Sequence, residues 1–317
     1  MPDHRDLQRR NGTMRRTIVL ASLLAAVWLT SSSAFAKQPS SVPGQQEITA
    51  GWTGSAAVID GVIGPGECSA AIPVHVKFNK PTTTPGIVAL TKANPFFPPP
   101  DNQDDLSYKI SAMYDDDNLY IAIDVADDVI IDDGPGNNPT FDDAPKIFID
   151  GDQVGNDLQV GQGGKEEFKV MYDVSGDAIT RADVNTSSTV PGFWDAAAGL
   201  RPRGYVVEFV FALSSIDIID GGGEISPSSG SSIGFNVTVG DDDNGGFPYN
   251  DLFVGGPIVE PTDTYGAWDG SSANWFDRRE DDWGTLHFAP RPNGAAKQIA
   301  SPSPKASTWG QIKREQE

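Results

Sequence analysis

Three groups of residues have the types and spacing that could support chemistry, and the first is acidic. Asp241, Asp242 and Asp243 run into Asn244-Gly245; Asp127-Asp128 with Asp132-Asp133, and Asp150-Gly151-Asp152, are clusters of the same kind. Calcium takes about six to eight oxygen ligands, and turns bring carboxylates and carbonyls together, so these runs are candidate calcium sites. None has EF-hand spacing, because the twelfth position counted from Asp241 is Leu252 rather than Glu. Calcium is the one cofactor these residues suggest, with Asp241, Asp242 and Asp243 as candidate ligands. The competing reading is acidic, solvated turns, natural in a chain whose net charge is −21.

The second group is aromatic. Tyr265, Trp268, Trp275, Phe276 and Trp283 fall within nineteen residues, interleaved with Asp269, Asn274, Asp277 and Arg278. An indole offers a flat apolar face to the C–H side of a sugar ring, while neighbouring amides and charges bond its hydroxyls. Trp283 starts the strand-like run Gly284–Phe288 and reads as core. Trp268 and Trp275 lie in a Gly-, Ser- and Asp-rich stretch and read as ligand contacts.

The third group is what a catalyst would need, and it is thin. The histidines are His4, His75 and His287; the last two sit in or beside strand patterns, where a histidine is more often structural. There is no HExxH, no CxxC and no Gly-rich phosphate loop after a strand. Carboxylates are so abundant that no pair stands out as a glycosidase acid and nucleophile. The chain reads as non-catalytic.

The elements that must position these residues are short alternating strands. Tyr108, Ile110, Ala112 and Tyr114, then Leu119, Ile121, Ile123 and Val125, are apolar at every second residue, with Asp115–Asn118 as the turn between them. Further strands are expected at Ala56–Asp60, Val74–Phe78, Lys146–Asp150, Glu166–Tyr172, Ala178–Val184, Tyr205–Phe211, Ile233–Val239 and Gly284–Phe288. No stretch carries a sustained helical period, so the expected fold class is all-β, a two-sheet antiparallel sandwich. Tyr205, Val207, Phe209 and Phe211, and Ile233, Phe235, Val237 and Val239, should face the core. Glu208, Asn236 and Thr238 should share the opposite face, and Lys109, Lys146 and Lys169 the polar face of their own strands. Such a face is ordinarily solvated, and it is also where a sandwich can hold a sugar. Lys80 to Leu106 carries no strand pattern and contains the Phe96-Phe97 pair, which reads as cover for an apolar patch or as a ligand contact.

Around this body the ends differ in composition. Arg15-Arg16, the apolar run Ile18–Leu29 and the small-residue site Ala34-Phe35-Ala36 read as a secretory signal peptide over residues 1–36. The apolar run is too short for a membrane anchor, so the mature chain is expected outside the cytoplasm with no membrane insertion. Residues 37–50 read as a linker, 51–289 as the sandwich and 290–317 as a flexible tail with a docking hint at Trp309. The leader holds five Arg and two Asp, so its removal takes the net charge from −21 to about −24. Nucleic acid is a poor partner for so acidic a surface. Cys68 is the one cysteine, so no intramolecular disulfide forms and burial has to hold the core together.

Seven motifs in order resemble a family 9 carbohydrate-binding module of the DOMON-like β-sandwich group: VIDGVIGPGE, AMYDDDNLYIAIDVAD, DDAPKIFIDGD, EEFKVMY, GYVVEFVFALSSI, IGFNVTVGDDD and the final W…NW…WGTLHF. The resemblance covers about residues 56–289 and implies a sandwich of two antiparallel sheets with structural calcium. It also implies non-catalytic binding of the end of a sugar chain between two tryptophans, as in modules attached to xylanases that serve carbohydrate catabolism. The family's second tryptophan falls on Trp275, with Asn274 beside it. Its first falls on Thr140, with Phe141 adjacent. The glutamate before its IFID-like strand is Lys146, the arginine of its FRV strand is Lys169, and the tryptophan after its IDG segment is Cys68. The resemblance thus assigns Trp275, Asn274, Trp268, Phe141, Lys146 and Lys169 to carbohydrate binding. Two other functions fit the fold: a haem-binding electron-transfer domain using Met113 or Met171 with Lys109 or Lys169, and a structural surface domain whose sugar pocket has degenerated.

Overall fold

The structure is a computed structural model that describes residues 46–78, 87–90, 102–132, 139, 142–153, 167–183, 186–188, 193–218, 225–243, 264–268 and 283–292. In chain order the strands are β1 (Glu47–Trp52), β2 (Val74–Phe78), β3 (Ile87–Leu90), β4 (Ser107–Tyr114), β5 (Asn118–Ala126), β6 (Pro145–Asp150) and β7 (Glu167–Tyr172). Then come β8 (Ala178–Asp183), β9 (Thr186–Ser188), β10 (Trp194–Arg201), β11 (Gly204–Ala212), β12 (Ser232–Asp241), β13 (Thr264–Ala267) and β14 (Gly284–Phe288). Among the described residues the one helical turn is the 3-10 turn Leu213–Ser215.

The strands form two sheets joined by β1. Glu47–Ala50 run parallel to β14 in the first sheet, and Gly51–Trp52 parallel to β4 in the second. The first sheet continues β14-β12-β6-β7-β8-β9, with β13 also on β12; the second is β10-β11-β5-β4, with β2 on β4 and β3 on β2. Parallel pairing is confined to β1 and β2-β3, and the rest is antiparallel. The expected all-β sandwich is the observed fold.

Alternation decides what lies between the sheets. Tyr205, Val207, Phe209 and Phe211 of β11 are fully buried, as are Ile233, Phe235, Val237 and Val239 of β12. Phe209 and Phe211 stack 6.1 Å apart, and Phe168 of the first sheet meets Phe193 edge-on at 5.0 Å. Burying each such ring contributes about 1.5–3 kcal/mol, so a row of them can hold a fold without a disulfide. The β4–β5 turn behaves as its composition dictates: Asp115 Oδ1 accepts the amides of Asp117 and Asn118, fixing Tyr114 opposite Leu119.

Several elements differ from the sequence expectation. Ala56–Asp60 forms no strand. β1 starts inside the stretch read as linker, where Ile48 and Ala50 alternate inward among polar residues. β3 lies in the segment read as strandless, and β10 was hidden because its core-side positions Ala196 and Ala198 are small. The start of the presumed tail is docked: the Arg291 guanidinium lies 4.4 Å over the Trp52 ring and donates to Asp116 at 2.8 Å. The proposed signal peptide, the Phe96-Phe97 pair and Trp309 lie outside the described residues.

Candidate functional site

The first sheet's face away from the core brings two of the six assigned carbohydrate-binding residues together. Register sets them out as a grid across β12, β6 and β7: Thr238, Lys146 and Met171 form one row, and Asn236, Phe148 and Lys169 the next. Gly234, Asp150 and Glu167 form the third row. Lys146 and Lys169 are therefore diagonal neighbours on adjacent strands. Lys146 and Lys169 lie on the non-core face of their own strands as expected and share it with Asn236 and Thr238, whereas Glu208, expected with that pair, lies on the outer face of the second sheet; the first sheet's face is not solvated, with Asn236 0 % exposed, Lys146 7 % and Lys169 9 %. The Lys169 ammonium lies 5.5 Å over the Phe148 ring, and Trp283 lies 5.3 Å from the same ring. Trp283 is thus buried on the outer face rather than in the core between the sheets. Asn236 Oδ1 accepts the amide of Val237, and Asp150 Oδ1 accepts that of Gln153, which fixes both side chains.

Trp268 is corrected by the structure. It is 0 % exposed in the core cluster, with its ring edge-on to Phe235 at 5.6 Å, so no face of the indole is open to a sugar. A Cβ on Gly284 would lie 2.8 Å from that ring, so residue 284 has to be glycine for Trp268 to fit. The Gly- and Ser-rich neighbours of Trp268 in sequence concealed this, since composition does not show which side chain turns inward. Trp275, Asn274, Thr140 and Phe141 lie outside the described residues.

The acidic residues converge at one end of the strands. Asp127 follows β5, Asp143 precedes β6 and Asp241 ends β12; all three are buried, and each offers an oxygen within 4.8 Å of the others. Asp241, Asp243 and Asp105 form an overlapping group with the same spacing. Backbone amides orient the set: Val129 N–H donates to Asp127 Oδ1 at 2.9 Å, Asp242 N–H to Asp143 Oδ1 at 2.7 Å, and Ile131 N–H to Asp143 Oδ2. Both carboxylate oxygens of Asp241, Asp127 Oδ2 and the Tyr205 hydroxyl are buried with no hydrogen-bond partner. Burial, and then the charges of Asp127, Asp143, Asp243 and Asp105, push the Asp241 carboxyl up to about 10. Burial likewise raises Asp127 and Asp143 well above the usual carboxylate range.

Three carboxylates this close repel one another unless protonated or bridged by a cation, and an all-oxygen set suits a hard one. Of the residues expected as ligands, Asp241 and Asp243 fall in these groups, while Asp242 contributes its amide to Asp143. Asp143 and Asp105 were missed, and their one sequence signal is an acid just outside a strand end. A second group joins Asp132, Asp142 and Asp173. Asp173 Oδ1 accepts the amides of Ser175, Gly176 and Asp177, while its Oδ2 is buried with no partner.

The second sheet's outer face is occupied by the chain itself. Residues 53–73 cross it as an irregular arm, and Glu208 Oε2, mid-strand in β11, accepts the amides of Asp60 at 3.1 Å and Gly61 at 2.8 Å. Gly61 has φ +80°, and a Cβ there would meet the Ala198 backbone at 2.4 Å, so the arm passes flush against β10. Glu67 clamps the arm from within by accepting the amides of Val58 and Gly64. Cys68 is half-buried there, and burial raises its thiol to about 11, which disfavours the thiolate at neutral pH.

No reactive constellation emerges among the other described residues. Met113 and Met171 are buried on different sheets, outside the core cluster. Gly230-Ser231-Ser232-Ile233-Gly234 has G-x-S-x-G spacing, but it enters strand β12 instead of a strand-to-helix turn, so it makes no nucleophile elbow. Among the described residues no helix is long and apolar enough to cross a membrane.

The carbohydrate family 9 binding domain-like family matches residues 95–250, a span that stops short of Trp268, Trp275 and Trp283. No curated protein matches the chain. Among solved structures, a family 9 carbohydrate-binding module from Caldicellulosiruptor kristjanssonii in complex with cellotriose is similar at a TM-score of 0.50 and 17% identity. The alignment covers 81% of this chain and 100% of that one. The module from the same organism in complex with glucose is 16% identical with a TM-score of 0.48, at the same coverage. The resemblance is borne out by the family match over residues 95–250, which holds five of the seven motifs, and by the shared fold.

Proposed function

We propose, from the premise that residues 95–250 form a carbohydrate family 9 binding domain-like module, that the chain is a secreted, non-catalytic domain. It binds the end of a polysaccharide or glycan on the outer face of its first sheet. The observation that carries this reading is the family match over residues 95–250; within it the grid on β12, β6 and β7 gathers two ammoniums, an amide, a hydroxyl and a ring on one largely buried face. Ammoniums and amides bond sugar hydroxyls, and rings take the C–H face. The resemblance assigns the stacking ring to Trp275 and further ligand contacts to Asn274 and Phe141. Calcium held by Asp127, Asp143 and Asp241, with Asp243 and Asp105 adjoining, stiffens the strand ends; the partnerless oxygens of Asp241 support this. Export follows from the leader over residues 1–36, and the expected setting is support of glycoside hydrolases such as xylanases.

The test is to titrate cello- and xylo-oligosaccharides into the full chain, with calcium and with chelator, while following tryptophan fluorescence. Saturable quenching that weakens on chelation is expected. A flat response across a broad glycan panel would remove sugar binding and leave a structural surface domain.

A further inference from the structure

The arm that crosses the outer face of the second sheet is thinly packed. Between residues 54 and 73 Gly61 is the one buried residue, while Val58, Val62 and Ile72 are exposed. A segment with so few buried apolar contacts opens at a small part of the free energy of global unfolding. Among the described residues its backbone makes two hydrogen bonds to the sheet, from the amides of Asp60 and Gly61, and both end on Glu208 Oε2. The other backbone bonds are internal: Glu67 accepts the amides of Val58 and Gly64, and the amides of Glu67, Ser69 and Ala71 close turns on Gly64, Gly66 and Cys68. The Cys68 thiol adds a weak bond to Ser111 of β4, and the arm is otherwise fitted by shape, flush with β10 at Gly61 and with β1 at Gly51. It is thus a compact strap with one strong polar anchor.

That anchor sits in acidic company. Glu208 is buried and lines a cavity of about 10 Å³ together with Glu67 and Cys68 of the arm and Tyr120 of β5. Asp60 of the arm completes the titratable groups around it; β4 presents Ser111 and Met113, and β10 presents Ala197, none of them charged. Asp124, the next outward residue of β5, is paired with Lys109 and Arg201. Among the described residues no cation pairs with Glu208 or Glu67, so nothing offsets two carboxylates on one small cavity. Two effects oppose each other at Glu208. Burial and the charge of Glu67 favour the acid, while the Asp60 and Gly61 amides favour the carboxylate, and the first pair prevails by holding the carboxyl up to about 7. With the arm lifted, water reaches the group and it returns toward the ordinary value of about 4.3. The closed arm therefore binds the proton more tightly than the open one, and this extra hold is complete below about 4.3 and lost as pH rises through about 7.

We propose that the arm is a pH-operated strap, latched on protonated Glu208 and loosened when that carboxyl ionises beside Glu67. Lifting it uncovers Met113, Tyr120 and Ala122, which are buried but lie outside the core between the sheets. The second sheet then carries an apolar outer face that is shut in acid and opens toward neutral pH.

The test is hydrogen exchange of the full chain between about pH 5 and pH 7.5, read on peptides from residues 53–73 and from β12 and corrected for the intrinsic pH dependence of exchange. The arm should be less protected than β12 at every pH, and its protection should fall by more than about tenfold across that range. Glu208→Gln keeps an acceptor for both amides and should remove the fall. Glu67→Gln takes away the neighbouring charge and should shrink it. Thermal melting identifies any variant that fails to fold, and the wild-type profile then decides. Arm protection equal to that of β12 would mean that the arm opens only with the whole fold and would overturn the strap. Arm protection that is flat with pH, or that falls as steeply in Glu208→Gln as in wild type, would overturn the latch.

Discussion

Lys169 of β7 and Glu208 of β11 occupy comparable positions, mid-strand, nearly buried and facing away from the core, but on opposite sides of the sandwich. Glu208 is committed to the chain itself: its carboxylate accepts two backbone amides of the arm that covers the second sheet. Lys169 stands in a grid of groups suited to a polyol, beside Lys146 and over the Phe148 ring. A charged residue in the middle of a strand therefore has a third use besides solvation and ligand binding, which is to tether irregular chain.

The largest expected effect joins the two faces instead of separating them, because the Asp127, Asp143 and Asp241 group draws one residue from beside the second sheet and two from the first. Chelation of a calcium-loaded sample should lower the melting temperature by about 10 °C, on the scale of a ligand at about a thousand times its Kd. Differential scanning calorimetry with and without chelator measures it. An unchanged melt would remove the cation from the site.

Next, Trp268→Ala should destabilise the fold by about 3–5 kcal/mol, the range for a large aromatic core truncation, read as a shift in denaturant midpoint. It should behave as a core mutation and not as a binding mutation. Glu208→Ala leaves the Asp60 and Gly61 amides without their acceptor and should destabilise by about 1–3 kcal/mol. Limited proteolysis should then cut within residues 53–73 while glycan binding is retained. Lost binding would break the division between the faces.

A smaller effect concerns pH. Burial, ahead of the charge of Glu67, holds the Glu208 carboxyl up to about 7, so the folded state binds its proton more tightly than the unfolded chain does. The resulting stabilisation is complete below about 4.3 and is lost as pH rises through about 7. Glu208→Gln should flatten that part of the stability profile, measured by melts from pH 4 to 8. The smallest effect belongs to Lys109, whose ammonium pairs with Asp124 at 3.0 Å on the exposed side of the second sheet. Lys109→Ala should change stability by less than about 1 kcal/mol.

The sheets were legible from the sequence wherever bulky apolar residues alternate, as in Tyr205–Phe211 and Ile233–Val239. They were illegible where the inward positions are small, as in β10, or short and polar-flanked, as in β1. Alternation put Lys146 and Lys169 each on the non-core face of its own strand, and register brings the two onto one face. Trp268 was misread because a tryptophan among Gly, Ser and Asp looks exposed, whereas the glycine at 284 makes room for it in the core. Asp143 was missed because a ligand set drawn from three strand ends has no spacing in sequence.

The most direct test of glycan binding by the first sheet is affinity electrophoresis of the full chain through gels holding immobilised polysaccharides, comparing wild type, Trp275→Ala and Glu208→Gln. Wild type and Glu208→Gln should be retarded alike on at least one polysaccharide, and Trp275→Ala should run free. Equal retardation of Trp275→Ala, or no retardation of any of the three on the whole panel, would contradict it.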